Sequence, residues 1–136
     1  WDALDAKDWE GLRACLVEDF VFVNNTTGGR YEGREGMIAT MQAKFSDGVT
    51  SSHHGHHHWI DLIGDGTAVS HWALQDDLYD AGHGGEFVGR AHYDNAYVKI
   101  DGQWRFTRMS LTYLRGEASI RKNSEDCANA YKVFMM

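Results

Sequence analysis

Five histidines occupy six positions of the stretch "SSHHGHHHW", residues 51–59. In a β-strand, alternate side chains point to opposite faces, so the histidines divide into two sets, His53 and His57 on one face and His54, His56 and His58 on the other. Histidines two positions apart can bind one zinc ion together, whereas those four apart in a strand are separated by about 13 Å and cannot. A metal site would need two members of the second set and a third ligand from a neighbouring strand, and we expect no metal and no cofactor.

The first predicted hairpin brings one of these histidines near an acid. An Asp-Gly pair at 65–66 is a strong signal for a two-residue turn, and that turn places Gly55 opposite Asp76 on the next strand. His53 and Asp76 then share one face as diagonal neighbours, with Cβ atoms about 7–8 Å apart. A histidine beside a carboxylate is suited to general acid–base catalysis near neutral pH, although the two groups can equally form a purely structural pair.

Further side chains on the two predicted hairpins are candidates for contact with a substrate. The same register sets Trp59 opposite Trp72 as an apolar wall. On the fourth long strand, the Asp-Gly turn at 101–102 puts Asn95 opposite Arg108 and Tyr93 on the same face. This surface is either a binding site or a half-exposed sheet. The candidate contacts are His56, Trp59, Trp72, Tyr93, Asn95 and Arg108.

A third carboxylate, Asp5, lies at the end of the first helical stretch in "ALDAKDW". Asp8 fits the N-cap position of the following helix, which leaves Asp5 free for another role. Capping or plain solvation remains the alternative for Asp5, because spacing alone does not place it in a cavity.

The elements that must position these groups follow from the hydrophobic periodicity. Apolar residues spaced by three and four predict helices over about 9–17 and 34–45, with a short strand in "FVFVNN" between them. From residue 50 onward, extended segments at 50–63, 67–79, 86–100 and 103–115 alternate with turn signals. Residues 123–136 predict a C-terminal helix capped by Ser124. Helices followed by an antiparallel meander define an α+β domain.

Composition excludes several classes of function. The chain has 136 residues, which predicts one domain, and 13 basic against 20 acidic residues give a net charge of −7, so we expect no nucleic-acid partner. No apolar run approaches the roughly 18 residues of a membrane span, and we expect no membrane association. Cys15 and Cys127 form no CxxC pattern, which favours a reducing, cytoplasmic location. The chain opens at Trp1 within a helical pattern, so we expect further residues upstream.

Three segments resemble a known family: "LDAKDWEGL", "HHGHHHWIDLIGDGTAVSHWALQD" and "GRAHYDNAYVKIDGQWRF". They are similar to the SnoaL-like branch of the nuclear transport factor 2-like superfamily, in particular to the scytalone dehydratase and bile-acid 7-alpha-dehydratase group. The similarity covers about residues 1–115 and leaves 116–136 as a C-terminal extension of a single SnoaL-like domain. It implies a cone-shaped α+β barrel, with N-terminal helices packed on a curved, mostly antiparallel mixed sheet.

The resemblance also implies a reaction and its residues. Carried over position by position, the catalytic groups are Asp5, His53 and Asp76, while a pocket tyrosine of the group would precede Trp1. His54 and His56 leave the identity of the base open. The implied activity is a cofactor-independent, dehydratase-like lyase or isomerase acting on a hydrophobic cyclic hydroxy-ketone of polyketide, steroid or aromatic type. The alternative is a non-catalytic module of the same fold that binds a small hydrophobic ligand or mediates assembly, like a dioxygenase small subunit. We expect a homo-oligomer, either a dimer or a trimer.

Overall fold

One mixed β-sheet of six strands dominates the computed structural model, which describes residues 1–120. In chain order the strands are β1 (Leu16–Asn24), β2 (Gly29–Glu32), β3 (Val49–Gly64), β4 (Thr67–Asp80), β5 (Gly85–Ile100) and β6 (Gln103–Ile120). Their order in the sheet is β2-β1-β6-β5-β4-β3, and only the β1–β6 pair is parallel. The sheet is curved and not closed, and the short helices pack on it, which confirms the predicted cone-shaped α+β fold.

Three helices precede the long strands: α1 (Asp2–Asp5), α2 (Trp9–Ala14) and α3 (Arg34–Lys44). Asp8 caps α2 as predicted, because its carboxylate accepts a hydrogen bond from the Gly11 amide at 2.9 Å. The predicted end of α2 at residue 17 is wrong. Leu16 already pairs with Phe106 of β6, so pairing with the sheet ends the helix at Ala14, three residues earlier.

The core lies between α3 and the concave face of the sheet. Met37, Ile38 and Met41 of α3 are buried, and they form one cluster with Phe20 and Phe22 of β1. Burying each of these large apolar side chains stabilises the fold by about 1.5–3 kcal/mol. The helical face predicted from the spacing of these residues therefore covers one end of the sheet.

The four long strands lie where the sequence predicts them, but β6 is longer than expected. Residues 116–120 continue β6, and Ile120 pairs with Gly85 of β5, so this part of the predicted extension belongs to the sheet. The helix predicted over 123–136 with Ser124 as its cap lies outside the described residues. Within residues 1–120, no helix combines the length and the hydropathy needed to cross a membrane.

Two bulges make the predicted register of the first hairpin wrong. The turn pairs Gly64 with Thr67 as expected, but the register then shifts by one residue before Leu62 and by another between Trp59 and His56. His57, with φ 48°, lies in the second bulge. Each extra residue flips the faces of every residue beyond it, because side chains alternate along a strand.

The corrected pairing brings the two predicted catalytic residues closer than the sequence indicates. His53 lies directly opposite Asp76 rather than diagonal to it, and Gly55 lies opposite Leu74. The second hairpin behaves similarly. A shift between Tyr97 and Ala96 pairs Asn95 with Met109, so the predicted pairing with Arg108 is also wrong.

Candidate active site

A cavity of about 230 Å³ opens between the helices and the concave face of the sheet. His53 and Asp76 both lie in its wall, within a surface that is mostly apolar and aromatic. Its apolar and aromatic lining includes Trp1, Leu4, Leu12, Phe20, Phe22, Met37, Met41, Phe45, Trp72, Tyr93, Phe106, Met109 and Leu111. A cavity of this kind, with a few convergent polar groups, is the usual form of a small-molecule site.

Asp5 holds His53 through two hydrogen bonds. The Nδ1–H of His53 donates to Oδ1 of Asp5 at 2.6 Å, and the backbone N–H of His53 donates to Oδ2 at 2.9 Å. The Ser51 hydroxyl donates to Oδ1 at 2.7 Å. Because an ionised carboxylate only accepts hydrogen bonds, the proton of the neutral imidazole resides on Nδ1, and Nε2 carries the free lone pair. Within residues 1–120, Nε2 has no hydrogen-bond partner.

The electrostatics of Asp5 support this assignment. Partial burial raises the pKa of Asp5, but hydrogen bonds from the His53 side chain, from Ser51 and from the His53 backbone together outweigh it and lower the pKa to about 2. Asp5 is therefore ionised at neutral pH. The His53 side chain is only 6% exposed, so the carboxylate fixes the ring in a largely dry environment.

Asp76 is the most deeply placed polar group of the cavity wall. It is 2% exposed, and the Tyr113 hydroxyl donates to its Oδ2 at 2.5 Å. Its other oxygen, Oδ1, is buried without a partner in the described part of the chain. A Cβ atom on Gly89, the residue opposite Asp76 on β5, would lie 1.9 Å from that oxygen. Because glycine has no side chain, Oδ1 of Asp76 can occupy the space beside Gly89.

Burial shifts the pKa of the carboxyl and phenol groups of the cavity wall. It raises the pKa of Asp76, against the opposing hydrogen bond from Tyr113 and the nearby His53. Burial together with the Asp76 charge also raises the pKa of Tyr93 and of Tyr113. Asp76 is thus biased toward the neutral acid, and both phenols remain hydrogen-bond donors at neutral pH.

A second polar cluster borders the same cavity. The hydroxyls of Ser70 and Tyr97 are 2.7 Å apart, and the indole N–H of Trp72 donates to Ser70 at 3.0 Å. The Asn95 amide nitrogen reaches the Tyr97 hydroxyl at 3.3 Å, while its amide oxygen is buried without a partner among residues 1–120. These hydrogen bonds fix the side chains of Trp72, Asn95 and Tyr97, which all line the cavity.

Tryptophan rings fill the space beside Gly55. The Trp1 and Trp72 rings meet edge to face with centroids 5.4 Å apart, and Trp1 also lies 6.0 Å from Tyr93. A Cβ atom on Gly55 would lie 2.2 Å from the Trp1 ring and 2.8 Å from that of Trp72. Gly55 was predicted to lie opposite Asp76. It instead allows these two indoles to pack against the strand.

Three of the expected substrate contacts lie away from the cavity. The bulge turns Trp59 to the outer face, where it is 49% exposed and stacks on His71. His56 stacks on His54 on the outer side of β3. Arg108 is exposed and its Nε donates to Ser110, because the bulge in β6 reverses its face. The other three, Trp72, Tyr93 and Asn95, line the cavity together with His53 and Asp76.

The remaining histidines do not assemble a metal centre in the part of the chain that the structure describes. On the outer face, His71 Nδ1 contacts Asp94 at 2.8 Å and His71 Nε2 contacts His92 Nδ1 at 2.8 Å. Among residues 1–120, no three His, Cys, Asp or Glu side chains are arranged to hold a metal ion.

Tyr113 is a site residue that the sequence analysis missed. Met109, Leu111 and Tyr113 alternate along β6 and all line the cavity. This two-residue period is the signal that identifies the inward face of the strand. The register predicted from the Asp-Gly turn contains no bulge, so it placed the opposite face of β6 toward the binding surface.

The fold and the site together define a protein with a small-molecule cavity beneath a cone-shaped α+β sheet. The model of the SnoaL-like domain family matches residues 1–110, which is most of the chain. The chain therefore belongs to the SnoaL-like domain family.

Solved structures of diverse proteins share this fold. A candidate scytalone dehydratase from Novosphingobium aromaticivorans is 22% identical, with 90% of this chain and 86% of that chain covered at a TM-score of 0.78. A type 2 hexachlorocyclohexane dehydrochlorinase (LinA) is 15% identical, with 90% and 82% covered at a TM-score of 0.75. A candidate Ca/calmodulin-dependent kinase II association domain from Exiguobacterium sibiricum is 16% identical, with 84% of each chain covered at 0.70. At these identities the similarity establishes the fold and leaves the activity to the site.

Proposed function

We propose that the protein is a cofactor-independent, dehydratase-like lyase or isomerase acting on a hydrophobic cyclic hydroxy-ketone of polyketide, steroid or aromatic type. The observation that carries the proposal is the hydrogen bond from His53 Nδ1–H to Asp5, since it leaves Nε2 as a base in a cavity that also contains Asp76. Directly opposed residues of antiparallel strands have Cβ atoms about 4.5–5.5 Å apart, so a single small ring can contact both His53 and Asp76.

The reaction begins with proton removal from the carbon next to the ketone. His53 Nε2 takes this proton, the electron pair of the C–H bond forms an enolate, and the resulting imidazolium is stabilised by the ionised Asp5. Tyr93 lines the cavity, and its raised pKa keeps its hydroxyl protonated, so it serves as the donor to the enolate oxygen.

Loss of the hydroxyl group completes a dehydration. The enolate electrons form the carbon–carbon double bond as the C–O bond of the β-hydroxyl breaks, and the neutral Asp76 supplies the proton that converts the departing group to water. Tyr113 stabilises the carboxylate that remains, through the hydrogen bond to Oδ2. Transfer of the proton from His53 back to Asp76, through solvent, restores both groups. In an isomerisation, the imidazolium would instead return its proton to another carbon of the same enolate.

A suitable test uses 3-hydroxy-1-tetralone, because loss of water from this bicyclic hydroxy-ketone yields fluorescent 1-naphthol. We expect the protein to accelerate its release and His53→Gln to lower the rate about 10²- to 10⁴-fold, the usual contribution of a general base. His54→Gln is the matched control, since His54 is the neighbouring residue on the outer side of β3. Equal rates for the wild type and His53→Gln would contradict the assignment of the base.

A non-catalytic ligand-binding module is the second candidate. The predominance of apolar side chains in the cavity wall favours it, since such a cavity holds a hydrophobic ligand without any chemistry. In that case the protein would bind 1-naphthol, measured by quenching of the emission from Trp1 and Trp72. Neither the wild type nor His53→Gln would then accelerate dehydration.

A further inference from the structure

Lys44 is a charged residue placed on the inward face of α3. It follows Met37 by seven residues and Met41 by three, so it lies on the same stripe of the helix as these two buried methionines. The side chain of Lys44 lines the cavity, as do those of both methionines and of Phe45. A lysine thus occupies a position where the pattern of the helix would place an apolar residue.

In the described part of the chain, Lys44 lacks the carboxylate partner that several arginines of the protein have. Arg13, Arg30 and Arg34 each form an ion pair with a glutamate. Within residues 1–120, no carboxylate lies within ion-pair distance of Lys44. Desolvation by the surrounding side chains lowers the pKa of Lys44. Lys44 is the last residue of α3, where the helix dipole favours a cation, but that preference is met equally by a lysine directed to solvent.

Lys44 is the one lysine or arginine among the described residues that line the cavity. Asp76 is the acidic residue of the lining, and its burial favours the neutral form. Lys44, Phe45 and His53 line the same cavity, and the Phe45 ring has its centroid 6.0 Å from that of His53. An anion bound to Lys44 would thus occupy the same cavity as a ring bound at His53.

We propose that Lys44 is the counter-ion for a carboxylate carried by the cyclic substrate, so that the cavity selects anionic over neutral ring compounds. The inference rests on the proposed function, which supplies the cyclic substrate, and adds that this substrate carries a charged substituent. Binding of the carboxylate to Lys44 involves no covalent step, because the ammonium group donates hydrogen bonds to the carboxylate oxygens in a largely desolvated site.

Binding of two matched probes by isothermal titration calorimetry tests this proposal without turnover. 2-Naphthoate and 2-naphthamide have nearly the same shape and differ in charge. We expect the wild type to bind the naphthoate about tenfold more tightly or better, as hydrogen bonds to charged groups allow. Lys44→Met, which extends the methionine stripe, should remove this preference and leave naphthamide binding within about twofold. Lys44→Arg should keep the preference, and so should Lys99→Met, the control on an exposed lysine of β5.

Three results would overturn the role of Lys44. They are a wild type that binds naphthamide as tightly as naphthoate, a wild type that binds neither, and a folded Lys44→Met variant that keeps the preference for naphthoate. Circular dichroism establishes folding of each variant, and Lys44→Arg provides a second comparison at the same position. Failure of the proposed function is distinguishable, because it would appear as unchanged turnover in His53→Gln and would leave the naphthoate preference intact.

Discussion

Replacing Asp5 with asparagine isolates the effect of one charge on the candidate site. The amide has nearly the shape of the carboxyl group and can still accept a hydrogen bond from His53, but it carries no charge and does not titrate. The three hydrogen bonds from His53 and Ser51 to Asp5 would lose their ionic component. We therefore expect Asp5→Asn to lower the free energy of unfolding at neutral pH.

The pKa of Asp5 sets the size of this loss. Its fall from 3.8 to about 2 corresponds to roughly 2 kcal/mol, since one pKa unit is worth about 1.4 kcal/mol. The Asp5 side chain is 23% exposed, and solvent screening reduces the expected loss to about 1–2 kcal/mol. Because the folded pKa lies below the unfolded one, this stability is fully present above pH 3.8 and disappears as the pH falls through about 2.

Urea denaturation followed by tryptophan emission measures the effect at a series of pH values. The difference between the wild type and Asp5→Asn should be about 1–2 kcal/mol at pH 6 and fall to about a third of that at pH 2.5. Asp2→Asn is the matched control, because Asp2 is an exposed acid of the same short helix. This control should change the free energy of unfolding by less than about 0.5 kcal/mol at every pH.

Two results would refute the reasoning about Asp5. One is a wild type and an Asp5→Asn variant of equal stability at pH 6. The other is a difference between them that stays constant from pH 6 to pH 2.5, since a loss that does not follow the titration of Asp5 cannot come from its charge.

Two more predictions concern the acid opposite His53. Gly89→Ala should lower the free energy of unfolding by about 1–3 kcal/mol, because its methyl group would lie 1.9 Å from Asp76 Oδ1, whereas Gly36→Ala on the open face of α3 should raise it by about 0.5–1 kcal/mol. Equal effects in urea denaturation would contradict the close approach of Asp76 to Gly89. Since burial raises the pKa of Asp76, its contribution to stability is present below about pH 3.8 and is lost as the pH rises through the folded pKa. Asp76→Asn should therefore gain stability relative to the wild type between pH 4 and pH 7, and a pH-independent difference would count against a raised pKa.

The sequence was sufficient for the architecture because each element carries a local signal. The Asp-Gly pairs at 65–66 and 101–102 mark both long hairpins, and Asp8 caps α2 where the N-cap pattern places it. Strand spacing and the family resemblance also select His53 and Asp76, which the structure places directly opposite each other. That part of the prediction depended on residues near in sequence or joined by a short turn.

The errors in the predicted site arise where one extra residue in a strand turns the side chains beyond it to the opposite face of the sheet. Turn signals specify the start of a register, but a bulge within a strand has no comparable signature, and His57 adopts a positive φ without being a glycine. Trp59, Arg108 and the pairing of Gly55 were all misplaced for this reason. The contact of Asp5 with His53 joins residues 48 apart, so packing places it and local spacing does not.

The bulge at His57 divides β3 into two halves that alternate out of phase. Before it, odd-numbered residues such as His53 point into the cavity, and beyond it Trp59 points outward instead. Deleting His57 would rejoin the two halves in a single alternation and turn the distal residues over, while His53 stayed against Asp76. Substitutions at outward positions of the distal half, such as Trp59, can thus alter the outer surface of the protein during evolution without entering the chamber where His53 lies.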